Sequence, residues 1–199
     1  MIKNYFRWQS AVSTTQLVAI AFLSLLFNLW ATDLLNAAYA ASAFPVPYWQ
    51  AQLSFDHEKI KSWYVFLLSN GTFGRYVHTQ NIDFIFIASV LLLHVAALLL
   101  ISRLLPPKST GRRLLVWAAL LSAIAPAADA LENGISYVML ANPTSFEPAL
   151  ALAYSSAAAL KFAMFTFAYV AAISGLFAAL FVWSAKLRNR ARGLTPRSS

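Results

Sequence analysis

Cysteine does not occur anywhere in the 199-residue chain, which excludes disulfide frameworks, thiolate metal sites and cysteine nucleophiles. Charge is almost as scarce. Charged residues make up 11% and hydrophobic residues 60%, whereas a soluble domain carries roughly 25% charged residues to keep its surface wet. Acids are scarcer still, at 7 against 15 Lys and Arg. There is no Gly-rich phosphate loop, no paired-histidine zinc motif and no serine elbow, so the nucleotide, zinc and serine-hydrolase signatures are missing. With a mean hydropathy of +0.62, the chain reads as one all-α membrane domain over residues 1–199, its outer surface facing lipid.

A bilayer core of about 30 Å needs about 20 apolar residues in a helix, and four segments meet that length. They run over about 15–40, 82–105, 114–140 and 150–185, and the second stops at Pro106-Pro107. The expectation is a four-transmembrane-helix bundle. The charges sort accordingly. Lys3, Arg7, Arg103, Lys108, Arg112 and Arg113, with Lys186, Arg188, Arg190, Arg192 and Arg197, fall on one side with no acid among them. All seven acids fall on the other side, with Lys59, Lys61, Arg75 and Lys161. The positive-inside rule puts both termini, and the basic tail 186–199, in the cytoplasm of a plasma (inner) membrane. Anionic headgroups, not nucleic acid, explain that tail.

The connection over about 44–81 is the one sizeable non-spanning segment. Pro45, Pro47, Tyr48 and Trp49 suit the headgroup region. Ser54 is expected to cap a short outer-surface helix ending at Asn70-Gly71. Ala38 and Ala40 also match the small-residue pattern of a signal-peptidase site, although Asp33 and Asn36 separate them from the apolar run. Small residues equally serve close helix packing, which is the preferred reading here and for Gly175.

Polar residues recur at one depth. The stretch "PAADALENG", residues 126–134, interrupts the third span. Asp129 lies about 22 Å along that helix from Leu114, and Asp129, Glu132 and Asn133 share a face as i, i+3 and i+4. Pro126 frees the carbonyl near Ser122, which a neighbouring helix, water or ligand must then satisfy. Asp33, Asp83 and Lys161 mark the same boundary on the other spans, with Arg75 and Tyr76 just before the second. Ionisable groups at such depth face the bundle interior and often mark function. Four carboxylates against Arg75 and Lys161 leave an acidic excess. A pocket with that excess can retain protons, bind a divalent cation through oxygen ligands or receive a cationic ligand. The candidate acid/base groups are Asp129 and Glu132, with Asp83. The candidate binding groups are Arg75, Tyr76, Asn133, Lys161 and Asp33. A metal would draw on Asp129, Glu132 and His78. His94 lies mid-span with no second histidine at its depth, which argues against a bis-histidine haem. A purely structural ion-pair network is the competing reading.

At "GTFGRYVHTQNID" and "DALEN" the chain resembles uncharacterised four-span membrane proteins. Gly74, Arg75, Tyr76 and Asp83 match their first motif, and Asp129, Glu132 and Asn133 their second. The resemblance covers about a quarter of the chain and implies that the two motifs work together, without naming a reaction. Four-span sterol isomerase-like proteins are similar in architecture alone, since none of their motifs is present. The expected function is an enzyme or binder acting on a lipid or lipid-soluble substrate, with membrane lipids as partners. The alternatives are an accessory subunit of a larger membrane complex, and a small-molecule or ion transporter.

Overall fold

In the computed structural model, which describes residues 11–191, the chain forms seven helices among the described residues and no strand. They are α1 (Thr14–Ser42), α2 (Tyr48–Gln52), α3 (His57–Ser69), α4 (Phe73–Arg103), α5 (Thr110–Leu121), α6 (Ile124–Ala141) and α7 (Pro148–Ala191). Four stretches are long and apolar enough to cross a membrane: α1, α4, α5 with α6, and α7 to Arg190. Lys3, Arg7, Arg192 and Arg197 lie outside the described residues.

Local chemistry sets most of the boundaries. Ser13 and Gln16 form a reciprocal capping box at the start of α1, satisfying two backbone donors that the first turn leaves orphaned. Asp56, not Ser54, caps α3 by accepting from the amides of Glu58 and Lys59 at 3.0 and 3.2 Å. The backbone N–H of Lys59 is the main reason the Asp56 carboxyl is held below its ordinary range, helped by the Lys59 ammonium and the Glu58 N–H. Gly71, at φ +67°, turns the chain out of α3 as the Asn70-Gly71 pair predicts. Ser109 caps α5 through the Arg112 amide.

The second apolar span begins nine residues earlier than its composition suggests. Thr72 starts the turn and α4 already holds Gly74, Arg75, Tyr76 and His78, so the connection before it is shorter than 44–81. The polar residues Thr79 and Gln80 are buried in the bundle, which compensates for their low hydropathy. The third span is two helices. Pro126 has no N–H to give Ser122, and the chain tightens into a turn there. Ser122 N–H bonds Ala118 O at 2.8 Å, and the Ser122 carbonyl instead receives the Ala125 N–H at 3.3 Å. The freed carbonyl is therefore satisfied locally by a 3₁₀ contact, not by a neighbouring helix or a ligand.

α4 is the central helix. It packs against α1 on one side and α5, α6 and α7 on the other, while α2 and α3 rest against α7. The apolar windows of α4 and α5–α6 are 44% and 50% buried, but those of α1 and α7 only 17% and 11%. The outer faces of α1 and α7 are thus the apolar surface of the molecule, carrying exposed Phe22, Leu23, Phe177, Phe181 and Trp183.

Two apolar cores stand at opposite ends. One joins Leu17, Leu98, Leu99, Ile101, Leu115, Val116, Ala168 and Ala179, beside the basic segments that flank α4, α5 and α7. There Gly175 lets α7 approach α4 and α5 closely, because a Cβ would stand 2.8 Å from Ile101 Cγ2 and 2.9 Å from Leu115 Cδ1. The other core is aromatic and joins Tyr64, Leu67, Tyr76, Met139, Phe146 and Tyr154 beneath α3. Burial pushes the Tyr64 phenol above its ordinary range. Between the two cores lie the buried Asp83, Asp129, Glu132, Asn133 and Lys161.

Candidate functional site

Three long helices converge on the polar layer. The α6 side chains of Asp129, Glu132 and Asn133 are all buried, at 2%, 0% and 1% exposure, because their shared face turns toward α4 and α7. Lys161, on α7 and 3% exposed, inserts between the two acids. Its Nζ donates to Asp129 Oδ1 at 2.9 Å and forms an ion pair with Glu132 Oε2. On the opposite side Asn133 Nδ2 donates to Asp83 Oδ2 of α4 at 2.8 Å, and Tyr137 O–H donates to the Asn81 side-chain oxygen. The Gly-Arg-Tyr-Asp and Asp-x-x-Glu-Asn segments therefore meet through Asp83 and Asn133.

Beside this layer is a cavity of about 390 Å³, walled by α1, α4 and α7 and roofed by α2. Each wall contributes a stripe at helical spacing. From α1 come Thr32, Leu35, Asn36 and Tyr39; from α4, Tyr76, Gln80, Asp83, Phe86 and Val90; from α7, Tyr154, Lys161, Phe165 and Tyr169. Asp129 reaches the lining from α6, whereas Glu132 and Asn133 stand behind it. The cavity is amphipathic along its length. Its polar part lies around Asp83, Asp129 and Lys161, and its apolar part extends about 10 Å further along α4 to Val90. The roof is held down by the backbone N–H of Phe55, which donates to Ser155 Oγ of α7 at 3.0 Å. Phe55 takes φ +53° there, a conformation that a bulky residue rarely adopts.

The structure separates the remaining residues expected at the site. Arg75 is exposed and reaches the Ala41 carbonyl at the end of α1 at 3.5 Å; it does not counter the buried acids. Asp83 stands eight positions further along the helix, about 12 Å away. Lys161 alone supplies the buried positive charge among the described residues. Asp33 is exposed on α1, outside the cavity lining. His78 is also exposed, since five residues along a helix turn it roughly 140° from Asp83. The set Asp129, Glu132 and His78 is therefore not assembled, and no group of three His, Asp or Glu positioned for a metal occurs among the described residues. Tyr76 does belong to the site, lining the cavity while buried against Tyr64 and Phe44. His94 packs edge-on to Phe165 and Tyr169, ring centroids 5.6 and 5.4 Å away, just behind the deep end.

Several site residues escaped the sequence reading. Gln80 precedes Asp83 by three positions on the same face, and Tyr154 precedes Lys161 by two turns. Both spacings are visible in the sequence, but neither residue is ionised near neutral pH, so charge counting passes over them. Glu132 Oε1 is buried without a hydrogen-bond partner among the described residues.

Chemically, the layer holds three carboxyl groups against one ammonium. Lys161 pairs with two of the acids, while Asp83 accepts from the Asn133 amide. No family model, curated protein or solved structure matches the chain.

Proposed function

We propose that this is a multi-pass membrane protein that binds a lipid or lipid-soluble substrate in the cavity between α1, α4 and α7. In this reading the basic end and both termini are cytoplasmic, and the acidic layer lies at the outer leaflet, with α2 and α3 along its surface. The observation that carries it is the amphipathic cavity itself. Its volume falls within the range of about 300–1,000 Å³ that suits small-molecule sites. Charged and amide groups occupy one part and Val90, Phe86, Phe165 and Tyr169 the other, which is the profile of a molecule with a polar head and an apolar body. Asp129 and Asp83 are the wall groups able to exchange a proton with a bound substrate.

The opposite core favours binding over transport. A route through one copy of the chain needs polar groups across its whole thickness, but the basic half is packed with Leu, Ile, Val and Ala.

The test is extraction of bound molecules. Protein isolated in native-membrane nanodiscs is expected to retain a defined lipophilic compound near one per chain, detected by mass spectrometry. Thr166→Trp, which fills the deep part of the cavity from an exposed position, should lose it. Retention of the same bulk lipid mixture by both proteins would refute the reading.

A further inference from the structure

We infer that the cavity selects a ligand bearing a protonated amine, an amphiphilic ammonium whose N–H groups are received by Asp83 and the Gln80 carbonyl. This rests on the binding reading above and names the ligand's chemical class.

Two independent observations lead there. The first is the unpartnered amide of Gln80. This side chain lines the cavity at 8% exposure, yet its Oε1 has no hydrogen-bond partner among the described residues. Gln52 Oε1, in the cavity roof, is buried and unpartnered in the same way. Buried acceptors are almost always bonded to something, so these amides call for a donor inside the cavity. The second is the charge arrangement. Lys161 is taken up by Asp129 and Glu132. Asp83 lines the cavity, accepts a hydrogen bond from Asn133 and forms no ion pair among the described residues. Gln80 and Asp83 lie one helical turn apart on α4 and share the cavity face.

A ligand head that meets these groups must give hydrogen bonds and carry positive charge. A carboxylate or phosphate head has no donor for Gln80 and repels Asp83. A hydroxyl supplies one donor and no charge. A primary ammonium supplies three donors and the charge, and hydrogen bonds to charged groups are the stronger class. The apolar tail then runs toward Val90, Phe165 and Tyr169.

The ammonium could belong to a free long-chain amine or to an aminated lipid headgroup, and one experiment separates them. Full-length protein is placed in phosphatidylcholine nanodiscs, and tritiated hexadecylamine is titrated in competition with hexadecanol and with palmitate. The expected result is saturable binding, with both competitors weaker by about tenfold or more. Asp83→Asn should erase that preference, and Gln80→Leu should reduce it. Equal competition by all three chains, or an unchanged preference in Asp83→Asn, would overturn the ammonium assignment. Should Asp83→Asn fail to fold, the wild-type amine-to-alcohol ratio decides alone. Equal competition that disappears in Thr166→Trp leaves the cavity as a lipid site and removes only the ammonium. No saturable binding of any chain removes both. Within a positive result, loss of amine binding in phosphatidylethanolamine discs assigns the ammonium to a lipid headgroup, and retention assigns it to a free amine.

Discussion

Asn133 donates to Asp83 across 50 residues of sequence, at 2.8 Å and in a buried setting. The bond ties α6 to α4 and holds one face of Asp83 while leaving it on the cavity wall. Removing the donor leaves a buried carboxyl short of a partner. Asn133→Leu should therefore destabilise the protein by about 1–3 kcal/mol. A double-mutant cycle with Asp83→Leu, read from thermal unfolding in one detergent, should show coupling between the two positions. Additive losses would mean that the bond contributes nothing.

Lys161 serves two acids at once, and its loss strands both. Lys161→Met should cost about 3–5 kcal/mol, the usual penalty for removing one partner of a buried ion pair. Combining it with Asp129→Asn and Glu132→Gln should recover most of that loss, because the triple variant also removes the two acids that Lys161 pairs with. The midpoint of thermal unfolding distinguishes the two variants.

Two glycines should respond in opposite senses. Gly175→Leu forces side-chain atoms into Ile101 and Leu115, and overpacking of this kind costs about 1–3 kcal/mol. Gly134, on α6, has nothing within 4 Å of where a Cβ would stand. Gly134→Ala should be neutral or should stabilise by up to about 1 kcal/mol through helix propensity.

The Asp56 cap carries a pH signature. Its carboxyl is held low by the Lys59 backbone N–H first of all. The cap's contribution is therefore complete above the carboxyl's unfolded value and disappears as pH falls through the lower folded one. Protection of the Glu58 and Lys59 amides, corrected for intrinsic exchange, should drop in that acid window. Asp56→Asn should remove the pH dependence while keeping a cap.

The absence of cysteine makes topology directly measurable. Asn70→Cys and Lys108→Cys place single thiols at exposed positions beyond opposite ends of α4. In intact cells an impermeant maleimide should label Asn70→Cys, and should label Lys108→Cys only after permeabilisation. The reverse pattern would invert the proposed orientation.

Much of this arrangement is legible in the sequence. Helix length and hydropathy located all four long apolar stretches, and counting 1.5 Å per residue brought Asp83, Asp129, Glu132 and Lys161 to one depth. Depth says nothing about rotation, however. His78 faces outward because its angular position on α4 differs from that of Asp83, and Arg75 is exposed about 12 Å further along the helix. The cavity was not readable for a related reason. It exists because α1 and α7 pack against α4 from different sides, a consequence of which stripes meet and not of composition. The break at Ser122 needed only Pro126, but its local 3₁₀ repair depends on the backbone itself.

The most direct test of the account is a structure solved from native-membrane nanodiscs with bound molecules retained. The account requires an elongated density between α1, α4 and α7, its head within hydrogen-bond reach of Asp83 and Gln80 and its tail along Phe165 and Tyr169. A cavity closed by direct packing of α1 against α7, with Gln80 and Asp83 bonded to protein groups alone, would contradict it.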